Sequence, residues 1–301
     1  MIFKILLKLK FLKKLNKKVA SFIFTSIIYI DDLFLRLRIF ILCAFLKKDN
    51  RIKKALIDLK KNGVAIIKNY YSENEIDRIK KECSSILDKI PLDKAKNFEY
   101  IEAASVNIDQ KTVYLEKLGK SIKIKGLNFI NSFFKKVAKK IELNLITLVY
   151  SLNINKPYIL YNVTHDGNVT HPILKDYSKI QTNEAIAGEP HIDLFIHHLR
   201  CFVALNDITE ENGATIYYNK SSNSKMLKTN YTNLFLKQFD YSIENTNPAY
   251  LNEKQLNELK INCPKMVLNC KKGDLAIIDL KTAHHGVVPK KGERHLLWFY
   301  Y

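Results

Sequence analysis

The chain has 301 residues, 47% of them hydrophobic, so it is long and apolar enough to form one large core with an appendage. Its five cysteines are odd in number and form no CxxC pair, which argues against a disulfide-stapled secreted fold and predicts a reducing, cytoplasmic environment. The net charge of +19 comes from lysines spread along the whole chain, without a basic stripe interleaved with aromatic residues, so we expect no nucleic-acid partner.

Residues 1–50 form a segment unlike the rest of the chain, with 11 Lys/Arg against three Asp and no Glu. Lysines alternate with large apolar residues over 1–18, and the uncharged run Val19–Ile30 falls short of the roughly 18–20 residues that span a bilayer. One interpretation is a basic amphipathic helix that lies peripherally on an anionic membrane surface. The other is a helical pair packed on the following domain, with its lysines in water.

From about residue 51 the pattern becomes that of a globular domain, which we expect to extend to residue 301. Val64–Ile67 reads as a short buried strand. Ser72 followed by Glu75 predicts a capping box at the start of a helix over Glu73–Lys89. A second helix is expected over Gly126–Leu143.

After Leu145 the sequence favours β-structure. Short apolar runs separated by turn residues are typical of a β-sandwich or jelly roll. A polar stretch over residues 220–262 indicates a long insertion between strands. The candidate strands are Tyr158–Val163, His191–Phe195, Leu199–Leu205, Ala214–Asn219, Met266–Asn269, Leu275–Asp279, Thr282–Val287 and His295–Tyr301.

Two histidine clusters carry the strongest chemical signal. His191 and Asp193 stand at i and i+2, so on a strand their side chains project to the same face. A second histidine from a distant strand, His284 or His285, would complete a set of two histidines and one carboxylate, which suits non-haem Fe(II) and leaves coordination positions open. A lone His-x-Asp is weak evidence. The Gly273-Asp274 turn supports the interpretation as a metal site, because this turn starts a strand that leads to the second histidine cluster.

Arg294 follows His284 by ten residues and begins an alternating segment, in which Leu296, Trp298 and Tyr300 share its face. A guanidinium inside a barrel needs a carboxylate partner, since an unpaired buried charge is costly. The planar fork of arginine matches a carboxylate in bidentate fashion. A dicarboxylic co-substrate, bound to the metal at one end and to Arg294 at the other, would fill that need.

Four segments together resemble the phytanoyl-CoA dioxygenase family of Fe(II)- and 2-oxoglutarate-dependent oxygenases, and the resemblance covers about residues 55–301. They are LKKNGVAIIKNYYSENEIDRIKKE, HID, LNDITEENGATIYYNKSS and GDLAIIDLKTAHHGVVPKKGERHLLWFYY. The resemblance implies a mainly β fold with flanking helices, built on a double-stranded β-helix, or jelly roll.

The same resemblance implies roles for individual residues. His191, Asp193 and His284 would be the metal-binding, catalytic residues, with His285 as the competing third ligand, and Arg294 would hold the distal carboxylate of 2-oxoglutarate. Relatives often carry a hydroxyl residue two positions after the ligand histidine, where this chain has Gly286. The candidates for that second contact are Thr282, Tyr161 and Thr215.

The expected function is therefore an Fe(II)- and 2-oxoglutarate-dependent dioxygenase that hydroxylates a small-molecule, lipid-linked or carrier-linked metabolite. The carboxylate of Asp193 points to hydroxylation, because related halogenases have a small residue at that position. The expected partners are the small-molecule substrate, oxygen and, through residues 1–50, an anionic membrane surface. Two alternatives remain open, a cupin-like metal enzyme with non-oxidative chemistry and a non-catalytic membrane-surface protein.

Overall fold

The computed structural model describes residues 16–48, 50–96, 104–151, 157–177, 188–223, 227–238 and 249–301. The helices are α1 (Lys17–Phe45), α2 (Arg51–Asn62), α3 (Glu73–Asp88), α4 (Leu92–Lys96), α5 (Leu127–Ile130), α6 (Ser132–Val137), α7 (Ile141–Ser151), α8 (Lys228–Gln238) and α9 (Glu253–Asn262). The strands are β1 (Val64–Ile67), β2 (Ala104–Ile108), β3 (Lys111–Leu118), β4 (Ser121–Lys125), β5 (Tyr158–His165), β6 (Leu199–Ala204), β7 (Ile216–Tyr218), β8 (Lys265–Val267), β9 (Leu275–Asp279), β10 (His284–His285) and β11 (Glu293–Tyr300).

The strands form two antiparallel sheets. The larger has the order β1-β9-β6-β11-β5-β4-β3-β2, and the smaller has the order β10-β7-β8. Chain neighbours are not always sheet neighbours, since β11 lies between β5 and β6, which is the crossed connectivity of a jelly roll. The predicted fold class, mainly β with flanking helices on a double-stranded β-helix, is confirmed.

Helices cover one face of the larger sheet. Residues of α2, α3 and α7, such as Leu56, Ile79 and Ile146, join Ile124 of β4 and Leu297 of β11 in the largest buried apolar cluster. Over β4, β5 and β11, none of the helices described above covers the opposite face of the sheet. That face forms one wall of the cavity described below.

Several local predictions are confirmed. Ser72 accepts from the backbone of Glu75, whose carboxylate accepts from Ser72 in return, so the capping box is present at the start of α3. The strands Val64–Ile67 and Leu275–Asp279 have their predicted bounds. Gly273 makes the turn into β9 with φ of 90°, and an added Cβ would lie 2.5 Å from the Tyr71 carbonyl oxygen.

Other local predictions are wrong. The single helix expected over Gly126–Leu143 is divided into α5, α6 and α7, because the Asn131 side chain accepts from Phe133 N and starts a new helix there. The strand expected over His191–Phe195 is reduced to isolated bridges at His191. The sequence patterns also missed β2, β3 and β4, because the residues between the apolar ones are polar or charged, so these strands contain no apolar run.

Helix α1 continues through Asp31 and Asp32, and it packs against the rest of the protein by one face. Phe24 stacks on Phe235 with ring centroids 4.2 Å apart, and it meets the edge of Phe195 at 5.2 Å. No helix in the described part of the chain is both long and apolar enough to cross a membrane. Of the predicted segment 1–50, residues 1–15 and Asp49 lie outside the described residues, and the division at residue 50 stays a prediction.

A buried polar cluster joins α1 to the end of β9. His197 contacts Asp279 Oδ2 at 2.6 Å through Nδ1 and lies 3.6 Å from Asp32 Oδ1 through Nε2. Tyr150 donates to Asp279 at 2.9 Å, and Lys281 Nζ lies 3.3 Å from His197 Nε2. Burial and Lys281 lower the pKa of His197, but the two carboxylates outweigh them and the pKa is raised.

We expect Asp32→Asn to destabilise the fold by about 1–2 kcal/mol at neutral pH, since Asp32 is only partly buried. The hydrogen bond to His197 lowers the pKa of Asp32 from 3.8 to about 2. The contribution of the Asp32 carboxylate to the free energy of unfolding is therefore complete above pH 3.8 and is lost as the pH falls towards 2. Denaturant unfolding of both proteins at several pH values measures this. An unfolding difference that stays constant below pH 4 would contradict the assignment.

Candidate metal centre

A reciprocal backbone contact brings the two histidine clusters together. His191 N donates to His284 O at 3.0 Å, and His284 N donates to His191 O at 2.9 Å, as in one rung of an antiparallel ladder. The imidazole rings consequently lie side by side, with centroids 4.5 Å apart. Two positions 93 residues apart in sequence therefore become direct neighbours, although the first of them is not in a regular strand.

Asp193 completes the cluster from the same loop as His191. Its backbone N donates to Leu280 O at 3.1 Å, which fixes the loop against the chain that leads to β10. Asp193 Oδ1 lies 3.5 Å from His191 Nε2, and Oδ2 lies 3.5 Å from His284 Nε2. Among the described residues this is the group of three side chains that could hold a metal ion, with one ligand atom from each within 4.8 Å of the others.

The hydrogen bonds of the rings suit metal binding. His191 Nδ1 contacts Glu189 O at 2.9 Å, and His284 Nδ1 contacts Thr282 O at 2.9 Å. A carbonyl acceptor keeps the proton on Nδ1, so both Nε2 lone pairs face the space beside Asp193. Asp193 Oδ2 is buried, and among the described residues its contact with Arg200 Nη1, at 2.8 Å, is an ion pair without hydrogen-bond geometry. The donor set fits Fe(II), which accepts two histidines and one carboxylate.

The protonation states of His284 and Asp193 are also those that metal ligands require. Burial lowers the pKa of His284 to about 4, so this ring is neutral at physiological pH, as a metal ligand must be. Burial opposes ionisation of Asp193, but His191, His284 and Arg200 outweigh it and hold the pKa of this carboxyl well below its usual range. Arg200 Nη1 lies 2.8 Å from Asp193 Oδ2.

His285 lies outside the cluster. Its Nδ1 atom contacts Gly188 O at 2.9 Å, and its ring faces Tyr218, with centroids 6.0 Å apart. Adjacent residues of a strand point to opposite sides, so only one of the two histidines of β10 can face Asp193. The structure places His284 there.

Arg294 is a buried cation without an acidic partner among the described residues. It is 8% exposed, and its guanidinium donates to Gly213 O and, at 3.2 Å, to Thr164 Oγ1. Its Nε atom has no hydrogen-bond partner in the part of the chain that the structure describes. Burial lowers the pKa of Arg294 to about 10, so it stays charged at pH 7. A buried guanidinium with spare donors fits a carboxylate ligand.

Arg294 and the histidine cluster line the same cavity, which has a volume of about 550 Å³. That volume lies within the usual range for small-molecule sites. Trp298 and Tyr300, which alternate with Arg294 on β11, line it too. The cavity thus holds a metal-ligand set at one place and, at another, a guanidinium that has no acidic partner among the described residues.

The three candidates for the hydroxyl contact that Gly286 cannot make lie in different places. Thr215 lines the cavity, but Thr282 donates to Gly63 O and Tyr161 contacts His295 Nδ1. Thr164, which pairs with Arg294 across β5 and β11, holds the guanidinium and was missed by the sequence patterns. Only the strand register identifies it.

The sequence profile of the family described as phytanoyl-CoA dioxygenase (PhyH) matches residues 59–287, which is more than half of the chain. Among curated proteins, none matches the sequence.

Solved structures with a similar fold include three metal enzymes. The epimerase SnoN, in complex with Fe³⁺, α-ketoglutarate and nogalamycin RO, has 11% identity over 82% of both chains and a TM-score of 0.50. HygX from Streptomyces hygroscopicus, with nickel, 2-oxoglutarate and hygromycin B bound, has 12% identity over 84% of this chain and 86% of that chain, with a TM-score of 0.49. EctD from S. alaskensis, with bound Fe, has 14% identity over 84% and 78%, with a TM-score of 0.49. At such identities the likeness to SnoN shows the fold alone.

Proposed function

The chain belongs to the phytanoyl-CoA dioxygenase family, and from this we propose that it is an Fe(II)- and 2-oxoglutarate-dependent oxygenase that hydroxylates a small-molecule, lipid-linked or carrier-linked metabolite. The observation that carries the proposal is the presence, in one cavity, of the three-residue ligand set and the buried Arg294. A metal-binding jelly roll without a co-substrate would have no use for a buried guanidinium that lacks an acidic partner among the described residues.

In this proposal His191, Asp193 and His284 hold the iron, and they are the catalytic residues. Arg294, positioned by Thr164, binds the distal carboxylate of 2-oxoglutarate. When bound, iron with 2-oxoglutarate and oxygen supplies the oxidising chemistry. The protein orients the two ligands and excludes water from the cavity. An intact carboxylate at Asp193 supports hydroxylation over halogenation, since it leaves no ligand position vacant for a halide.

The test is an anaerobic titration of metal-free protein with Fe(II) and then 2-oxoglutarate, followed by the visible charge-transfer absorption of chelated iron. Admission of oxygen should then convert 2-oxoglutarate to succinate. Metal binding without this absorption would favour the non-oxidative, cupin-like alternative. The absence of any metal binding would contradict an enzymatic role.

We also propose that α1 holds the protein peripherally on an anionic membrane. Its large exposed apolar side chains include Phe22 at 73%, Leu33 at 65% and Phe40 at 72% exposure. At 100° per residue they share about half of the helix circumference, opposite the buried Phe24 and Leu35. The full exposed set on α1 is Val19, Phe22, Tyr29, Ile30, Leu33, Phe34, Leu37, Phe40, Ile41 and Phe45.

Charge favours a lipid surface over a second copy of the chain as the occupant of this apolar face. Residues 1–50 carry 11 Lys/Arg and three Asp, and the whole chain has a net charge of +19. Two such surfaces repel each other, whereas each basic residue near an anionic bilayer contributes about 1 kcal/mol of attraction. An apolar face flanked by basic residues suits a helix lying in the plane of the interface.

A triple variant is expected to weaken binding to phosphatidylglycerol-containing vesicles at least about tenfold, because it removes the inserted apolar surface. The variant is Phe22→Ser/Leu33→Ser/Phe40→Ser. Vesicle co-sedimentation measures this. Phe129→Ser is the matched control, since that residue is 57% exposed on α5. Equal binding by the triple variant would contradict the proposal. A wild-type dimer that this variant abolishes, seen by light scattering, would assign the face to a second copy.

A further inference from the structure

The cavity around the candidate metal centre has an excess of positive charge. Its described lining includes five cationic side chains against two carboxylates, an excess of three positive charges. Bound Fe(II) and 2-oxoglutarate would leave that excess unchanged, because their charges cancel. The cationic residues are Lys120, Lys123, Lys125, Arg200 and Arg294, and the carboxylates are Glu116 and Asp193.

Much of this excess positive charge lies on β4, away from the metal centre. Lys123 and Lys125 alternate with the buried Ile122 and Ile124, so both lysines face the cavity. Each lysine is 28% exposed, and both contact the single carboxylate of Glu116 on β3. One negative charge shared by two half-buried ammonium groups leaves one of them uncompensated.

The wall between β4 and the metal centre is aromatic. In the sheet, Lys125 pairs with Leu160, and Leu160 pairs with Trp298. Beyond them, the Arg200 guanidinium lies 4.3 Å from the ring centroid of Tyr300, and its buried Nε atom has no hydrogen-bond partner within the described ranges. An apolar or ring-bearing group can therefore lie across this wall with cations at both ends.

We propose that the substrate is a small-molecule anion, with its phosphate or carboxylate group on Lys123 and Lys125. Its body packs on Trp298 and Tyr300, and its reacting carbon lies beside the His191–Asp193–His284 cluster. This assignment rests on the proposed oxygenase function and adds the class of substrate. A concave, positively charged site concentrates anions and rejects cations. Arg200 on β6 contacts Asp193, and β6 lies three strand spacings from β4, so the anionic group and the reacting carbon are separated by roughly 14 Å.

The test compares phenyl phosphate, benzoate and benzyl alcohol by calorimetry, on protein saturated anaerobically with Fe(II) and 2-oxoglutarate. An anion should bind at least about tenfold more tightly than the alcohol, because only the anion forms charge contacts with the two lysines. Whichever anion binds more tightly identifies the group as phosphate or carboxylate.

Two variants act in opposite directions. Lys123→Gln/Lys125→Gln should abolish the preference for the anion, and Glu116→Gln should strengthen anion binding severalfold by freeing both lysines. Lys135→Gln/Lys136→Gln on α6, outside the cavity, is the matched control and should behave as the wild type. A loss of anion binding in both cavity variants would show a merely structural role for the Glu116 cluster.

The outcomes separate this inference from the function on which it rests. A charge-transfer absorption together with equal affinities for all three probes, or with no probe binding, would overturn the anionic substrate and leave the oxygenase intact. If no absorption forms, the oxygenase fails, and the same comparison on metal-free protein still decides whether the cavity selects anions.

Discussion

His284→Ala is expected to lower the affinity for Fe(II) by more than about 100-fold, whereas His285→Ala should leave it within about threefold of the wild type. The two residues are adjacent on β10, but only His284 faces Asp193, with its Nε2 atom 3.5 Å from Oδ2. The Nδ1 atom of His285 contacts Gly188 O on the other side. Loss of one of three ligands removes a metal bond that water replaces poorly.

The measurement is the anaerobic Fe(II) titration in the presence of 2-oxoglutarate, read from the charge-transfer absorption. Circular dichroism of both variants controls for folding. The pair is informative because both changes remove the same chemical group from neighbouring positions. Loss of iron in the His285 variant with retention in the His284 variant would reverse the assignment.

Arg294→Met is expected to lower the affinity for 2-oxoglutarate by about 100-fold and to leave the protein without 2-oxoglutarate as stable as the wild type, or more stable. Arg294 is buried and has no acidic partner among the described residues. Its charge therefore costs free energy until a carboxylate arrives. Methionine keeps the apolar volume and removes that cost, so ligand affinity and protein stability should change in opposite directions.

Two measurements check this, the 2-oxoglutarate dependence of the charge-transfer absorption and thermal unfolding of the metal-free protein. Thr164→Val, which removes a hydrogen bond to the guanidinium at 3.2 Å, should weaken 2-oxoglutarate binding only severalfold. If Arg294→Met unfolds more easily and binds 2-oxoglutarate normally, the guanidinium is a structural group and another cation binds the co-substrate.

Local sequence patterns were sufficient to predict the elements that carry a clear signal within a few residues. The capping box of Ser72 and Glu75, the strand Leu275–Asp279 and the Gly273 turn all follow from residue types a few positions apart. Local patterns failed over β2, β3 and β4. There the residues between the apolar ones are polar or charged, with a glutamate or lysines facing the cavity in β3 and β4, so these strands resemble a solvent-exposed segment.

The family, the jelly-roll class and the small set of residues from which a metal centre could be built were all predictable from residue types and their spacing. Which of those residues meet was not predictable in this way, because strand register depends on packing across the whole sheet. The backbone pair of His191 and His284 selects one of two adjacent histidines, and the register of β5 with β11 brings Thr164 to Arg294. The positive charge of the cavity arises in the same way, since its lining comes from strands that are distant in the sequence. The apolar face of α1 belongs to a single helix, but which side of that helix stays exposed depends on the packing of Phe24 against Phe195 and Phe235.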